Sequence, residues 1–113
     1  MMLDRVGLAL EHYMDVLSAR QKMVAGNLAN ADTPGYKTKD MVFQTQLDEL
    51  ARGAPPRAVE VAGLKVKNDG NNVNVDREAR LLAEYALRFN MAASLLKGQL
   101  RMLRSAIQEG RGA

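Results

Sequence analysis

Residues 76–110 read DREARLLAEYALRFNMAASLLKGQLRMLRSAIQEG, a long stretch without proline. Within it Ala79, Leu82, Ala86, Phe89, Ala93, Leu96, Leu100, Leu103 and Ile107 recur at alternating steps of three and four. That spacing, held over about four heptads, is one edge of a long amphipathic helix. Alanine at Ala79, Ala86 and Ala93 lets a neighbouring helix come close. Asp76 is the expected N-cap, Glu78 sits favourably in the first turn, and Gly110 and Gly112 mark the expected stop. A second apolar line, Leu81, Tyr85, Ala92, Leu95 and Met102, falls on a different face of the same helix.

The N-terminal third repeats the device. Leu3, Val6, Leu10, Tyr13 and Leu17, continued more weakly by Val24 and Leu28, form one stripe. Ala9, Val16, Ala19 and Met23 form another, roughly a third of a turn away. At ~1.5 Å per residue each helix is roughly 40 Å long. Two helices packed only on each other would leave both second lines wet, and a large exposed apolar patch on a small chain usually marks an interaction surface. A more elaborate fold-back, or a dimeric helical bundle, would cover the same lines, and the residues alone leave these alternatives open.

Between the helices, Asp32-Thr33-Pro34-Gly35-Tyr36 is a strong turn, with proline presetting φ and glycine supplying a positive φ. The first helix is therefore expected to end just before it. Asn27 and Asn30 are poor mid-helix residues whose amides can bond the free backbone groups of a fraying end, and the Tyr36 ring can cover the turn. Met41-Val42-Phe43, Leu47 and Leu50 fit either a short strand or a short helix. Gly53 to Arg57, with Pro55-Pro56, reads as a loop. Leu64-Lys65-Val66 and Val73-Asn74-Val75 flank Asn68-Asp69-Gly70-Asn71-Asn72, which predicts a small β-hairpin-like element. The division is thus 1–31 for the first helix, 32–75 for turn, loop and β-like segment, and 76–110 for the last helix.

Composition narrows the chemistry. The 113 residues are one domain at most, burying only about two thirds of their unfolded surface. There is no cysteine, which removes disulfides, thiolate metal sites and a cysteine nucleophile. His12, the single histidine, falls on a polar face of the first helix and has no second histidine with which to build a metal site. Aligning Gly70 with the sixth position of a calcium loop puts Lys65 and Lys67 where carboxylates are needed. Asp48 with Glu49 lies beside a polar loop, and Asp76 with Glu78 is explained by a helix start. No phosphate-binding or dinucleotide-binding glycine pattern occurs. The expectation is no catalytic residue, no cofactor, no metal and no small-molecule substrate. The net charge of +3 is spread along the chain, and three tyrosines and two phenylalanines offer little for base stacking. The alternative of another class is a basic helical module binding nucleic acid or acidic membrane, with affinity falling steeply in salt. Met1-Met2-Leu3-Asp4-Arg5 does not open an ordinary secretory signal, and no apolar run reaches the ~20 residues that span a bilayer.

The run Asn27-Leu28-Ala29-Asn30-Ala31-Asp32-Thr33-Pro34-Gly35-Tyr36-Lys37 resembles the N-terminal signature of the bacterial flagellar rod and hook axial proteins, in which Asn-x-Ala-Asn-x-x-Thr-Pro-Gly-Tyr closes the first helix. Asn27, Ala29, Asn30, Thr33, Pro34, Gly35 and Tyr36 are its motif residues here. The short length, the Asp69 to Glu78 stretch and the ending Leu103 to Gly110 look most like a proximal rod subunit. The sibling subunit FlgC is the nearest rival, but its usual Asn-Val-x-x-x-x-Glu-Met entry to the last helix is missing.

The resemblance implies a mainly α chain whose terminal helices pair as an antiparallel coiled coil, lining an axial channel and packing into a helical lattice. Leu3, Val6, Leu10, Tyr13, Leu17, Leu82, Ala86, Phe89, Ala93, Leu96, Leu100, Leu103 and Ile107 would be the seam of that assembly. Implied partners are copies of itself, the rod proteins FlgC, FlgF and FlgG, the adaptor FliE, the MS ring protein FliF and the flagellar export apparatus. Asn74 stands where proximal rod proteins often carry Asp, and Ala51 to Gly63 is short for the family. An isolated monomer, with its second apolar lines uncovered, is expected to be partly disordered.

Overall fold

The computed structural model describes residues 2–112; the side chains of Leu3, Phe43 and Leu50, named above, lie outside the described residues. Two long helices, α1 (Met2–Ala29) and α3 (Val75–Gly112), pack against each other along an elongated body of 71 × 25 × 18 Å. At ~1.5 Å per residue they measure about 42 and 57 Å. Between them lie β1 (Lys39–Asp40), α2 (Phe43–Ala51) and β2 (Val59–Glu60). The two strands pair antiparallel, Lys39 opposite Glu60 and Asp40 opposite Val59. The fold is mainly α with a small antiparallel β element in its middle, as the sequence predicts.

Three local expectations differ from the structure. The β pair joins 39–40 to 59–60, not 64–66 to 73–75. Residues 67–70 do make a tight turn, closed by Gly70 N–H to the Lys67 carbonyl at 2.9 Å, but the chain after it does not run back along 64–66. Its asparagines are bound elsewhere, as described below. Second, α3 is capped by Asn74, not Asp76. The Arg77 N–H donates to Asn74 Oδ1 at 3.0 Å, and the Glu78 N–H to the Asn74 carbonyl at 3.0 Å. Asparagine ranks with aspartate at this position, and two residues earlier the same helix simply begins sooner. Third, Gly110 lies inside α3, which continues to Gly112. Of the segment compatible with strand or helix, Phe43 to Leu50 are helical, within α2, and Met41 and Val42 precede that helix.

The core is small and sits where the helices cross the middle segment. Leu17, Val24 and Tyr85 are fully enclosed, with Tyr13, Leu28, Leu81, Leu82 and Phe89 packed against them. Val16, Met41, Val73 and Ala92 are also buried. Both apolar lines of each helix therefore feed this core, because the middle segment covers part of the surface that a bare helix pair would leave open. Leu47 of α2 lines one groove with Val6, Ala9, Leu10 and Tyr13, and Pro56 lines another with Ala19 and Met23.

Candidate assembly interface

The turn after α1 and the entry to α3 are tied together by a buried polar cluster. Asn27, fully buried, uses all its amide capacity. Its Nδ2 donates to the Lys39 carbonyl at 2.8 Å and to Glu78 Oε2 at 3.0 Å. Its Oδ1 accepts from the Tyr36 hydroxyl and the Lys39 N–H, both at 3.0 Å. Glu78 is likewise fully buried, and its second oxygen accepts from Arg77 Nη1 at 2.6 Å. Burial first, and the Glu78 carboxylate second, push the Tyr36 phenol above its ordinary value. A carboxylate held this way locks α1 to the first turn of α3.

Asn71 and Asn72 complete the cluster. Asn71 Nδ2 donates to the carbonyls of Asn30 and Thr33, both at 2.8 Å, and its Oδ1 accepts the Val73 N–H at 2.8 Å. Asn72 Oδ1 accepts the Thr38 N–H at 2.6 Å. Asn30 behaves as a helix-end asparagine, donating to the Gly26 carbonyl at 2.8 Å, while Thr33 Oγ1 donates to Asn30 Oδ1 at 3.1 Å. These bonds leave few orphan backbone groups at the end of α1.

The two glycine turns touch. Gly35 and Gly70 hold φ of 76° and 85°, and the Gly35 N–H donates to the Asp69 carbonyl at 2.9 Å. A Cβ on Gly70 would lie 3.3 Å from Gly35 Cα. Gly70→Ala therefore adds a left-handed backbone cost to a crowded contact with another main chain, and is expected to lower stability by about 1–3 kcal/mol. Urea denaturation of the two chains side by side checks it, with Gly53→Ala, which meets no atom within 4 Å, as the uncrowded control.

A second clamp lies on the core. Arg20 pairs with Asp40 through Nε–Oδ1 at 3.2 Å and Nη2–Oδ2 at 3.3 Å, and its guanidinium stands 4.3 Å from the centre of the Tyr85 ring. Burial, and next the Asp40 carboxylate, push the Tyr85 phenol up to about 12. An unfolded tyrosine ionises near 10, so the folded chain keeps its proton where the unfolded one loses it. Stability is then complete below pH ~10 and falls by up to about 1.4 kcal/mol per pH unit between ~10 and ~12. Tyr85→Phe is expected to flatten that decline, measured as urea midpoints from pH 9 to 11.

The predicted seam residues divide by position. Leu17 is fully buried, while Leu10, Tyr13, Leu82, Ala86, Phe89, Ala93, Leu96 and Leu103 are half-buried along the helix contact. Val6, Leu100 and Ile107 are exposed, and every residue from Arg104 to Gly110 is exposed. Of the second lines, Val16, Tyr85 and Ala92 are buried, whereas Leu95 and Met102 are about 60 % exposed. Leu87, Met91, Leu95 and Met102 share one side of α3 as an uncovered apolar row. Beside it, Met91, Ala92 and Leu95 face Val6, Leu10 and Leu47 across an apolar groove of ≈ 470 Å³. Among the described residues no group of three or more His, Asp or Glu is placed to hold a metal ion. Among the described residues no helix is long and apolar enough to cross a membrane.

The family model for the flagella basal body rod protein matches residues 14–37, from the middle of α1 through the turn. Over 96% of this chain and 99% of the relative, the flagellar basal body rod protein FlgB of Escherichia coli K12 is 30% identical. The chain belongs to the FlgB family of flagellar basal body rod proteins. FlgB of Salmonella typhimurium LT2 is 31% identical with the same coverage, and FlgB of Yersinia ruckeri is 28% identical over 96% of this chain and 100% of its own. The E. coli alignment extends over 139 residues, so the FlgB relatives carry residues for which this chain has no counterpart. The stretch matched by the family model holds Arg20, Asn27, Asn30, Gly35 and Tyr36, which are the α1 and turn halves of both clamps.

Asn71, Asn72 and Glu78 are the members that the sequence reading missed. Two asparagines after a glycine have the composition of a turn, and a glutamate in the first turn of a helix accounts for itself by the dipole. Only the carbonyls of Asn30 and Thr33 and the amide of Asn27, brought close by the fold, give these side chains their partners.

Proposed function

We propose that this chain is a structural subunit of the proximal rod of the flagellar basal body, with packing rather than catalysis as its work. In this reading residues 1–31 and 76–110 are the two helices of one axial coiled-coil unit, and residues 32–75 brace them. Copies associate through the terminal helices into a stiff shaft that encloses the export channel and transmits torque. Other rod proteins (FlgC, FlgF, FlgG), the adaptor FliE and the MS ring protein FliF are its neighbours. The flagellar type III apparatus delivers the chain unfolded to a rod that crosses the periplasm.

The observation that carries this reading is the uncovered row Leu87, Met91, Leu95 and Met102 on a chain of the rod family. Four large apolar side chains on one side of a helix are costly to leave in water, at about 25 cal/mol per Å² of apolar surface, and a lattice neighbour removes that cost. The two polar clamps, one buried and one partly buried, support it too, since they fix the relative position of the helices that a regular lattice must repeat.

Leu95→Glu with Met102→Glu tests this. Both side chains are exposed, so the isolated chain is expected to keep its helix content, while rod formation in cells lacking the native gene falls by about tenfold or more. Normal numbers of rods built from the doubly substituted chain would remove this row from the assembly.

A further inference from the structure

The two-stranded sheet is sealed on one edge and open on the other. The Val61 N–H donates to the Thr38 carbonyl at 3.0 Å, one step beyond the pairs Lys39–Glu60 and Asp40–Val59. Main-chain groups in an antiparallel ladder alternate between facing the partner strand and facing away from it. Val59 and Val61 therefore face β1, and the N–H and carbonyl of Glu60 face outward. Lys39, opposite Glu60, follows the same rule on its own side: its N–H and carbonyl turn away from β2 and are held by the Asn27 amide. That side chain seals the edge of β1. Among the described residues no third strand covers β2, where Arg57 to Glu60 are all exposed.

The stretch Leu64-Lys65-Val66, whose alternation predicts a strand, is also left without a partner. Among the described residues it makes no main-chain hydrogen bond, and Lys65 and Val66 are exposed. Set antiparallel to β2 with Lys65 opposite Glu60, it brings Val66 opposite Val59 and Leu64 opposite Val61. One opposite-charge pair then stands between two apolar pairs, a favourable cross-strand set. Among the described residues neither Glu60 nor Lys65 forms an ion pair within the chain.

The direct hairpin between these two stretches is blocked. It would turn at Ala62-Gly63 and be closed by Val61 and Leu64, yet the Val61 N–H it needs is given to Thr38. Two-residue hairpin turns also require a positive φ at their first residue. Gly63 has φ of 80°, but Ala62 does not lie in the positive region.

We propose that the open edge of β2 takes Leu64-Lys65-Val66 of a second copy as a third strand. This rests on the rod-subunit reading and adds to it a contact through the middle segment rather than the terminal helices. The outward N–H and carbonyl of Glu60 exchange bonds with the main chain of Lys65, and their side chains set the register. A slip of one residue would put Lys65 against Val59 or Val61 and turn the apolar residues to the wrong face.

The absence of native cysteine makes a direct test clean. Val59 and Val66 occupy a non-hydrogen-bonded position of the proposed pairing, where facing Cα atoms are ~4.5 Å apart and within disulfide reach. Chains carrying only Val59→Cys and chains carrying only Val66→Cys are co-expressed in cells lacking the native gene, and basal bodies are purified and oxidised. A mixed disulfide dimer is expected, exceeding by about tenfold that from either chain alone. Both chains present in basal bodies without the mixed dimer would overturn the strand exchange and leave the rod reading standing. A chain carrying both cysteines that closes on itself would do the same, since it would place 64–66 on its own β2. Neither chain in basal bodies, when the unsubstituted chain is also absent, would overturn both.

Charge reversal gives the second arm. Glu60→Lys added to the Val59→Cys chain sets like charges opposite each other and is expected to cut the mixed dimer about fivefold, and Lys65→Glu added to the Val66→Cys chain is expected to restore it. Loss without restoration would overturn the pairing and leave the edge of β2 to a strand from a different protein.

Discussion

Asn27→Ala is expected to destabilise the chain by about 3–5 kcal/mol, because it strips partners from several groups at once. The Glu78 carboxylate loses the amide on Oε2, the Tyr36 hydroxyl loses its acceptor, and the Lys39 N–H and carbonyl lose both side-chain bonds. Leaving each such group unsatisfied costs about 1–3 kcal/mol, and the retained Arg77 contact offsets only part of the carboxylate's share. Domains of this size are stable by roughly 5–15 kcal/mol, so the loss is a large fraction of the whole. Asn27→Asp sharpens the test. It sets a second carboxylate about 3 Å from Glu78, where both cannot easily ionise, so one must take up a proton on folding. That variant is expected to gain stability as pH falls from 7 towards 5. Urea midpoints across that range check both expectations. A loss below 1 kcal/mol for Asn27→Ala would mean the cluster does not hold the helices together.

Tyr85→Ala is expected to cost about 3–5 kcal/mol by a different route. The ring is 1 % exposed and stands at the centre of the small core beside Leu17 and Val24. Truncation leaves a cavity and removes the surface on which the Arg20 guanidinium lies. A larger core could relax into such a gap, but here only a few side chains enclose it. Tyr85→Phe keeps the volume and gives up the hydroxyl's 3.5 Å approach to Asp40, so it is expected to cost less than 1 kcal/mol at neutral pH. Comparing the two by thermal unfolding separates packing from polar contact. Equal losses would place the stabilisation in the hydroxyl.

What the sequence makes legible follows from the range of the interactions involved. The helices are written in the periodicity of Leu82, Phe89, Leu96 and Leu103 and of Val6, Tyr13 and Leu17, and the turn in Thr33-Pro34-Gly35, since each rests on residues within about two helical turns of one another. The cap at Asn74 lay one step beyond local signals, as Asp76 has equal capping chemistry and closer apolar followers. The strand pair is two residues on each side and has no alternating pattern to read.

The buried cluster was hardest to read. Asn27 bonds Glu78 across 51 residues, and Asn71 bonds Asn30 across 41. No local pattern encodes such pairs. For the assembly surface the periodicity does name two apolar lines per helix, but it does not say which parts α2 and Pro56 cover. Val16, Tyr85 and Ala92 went inward, while Leu95 and Met102 remained outside. That division depends on where the middle segment lies, and so on the same long-range contacts.

The central claim, that this chain is a rod subunit, is tested most directly by deleting its gene and imaging the cell envelope by electron microscopy, with complementation by the intact chain. The account predicts MS rings that remain while rods, hooks and filaments are lost, all restored by the complementing copy. Complete flagella in the deletion strain, with no second copy of the gene in the cell, would contradict it.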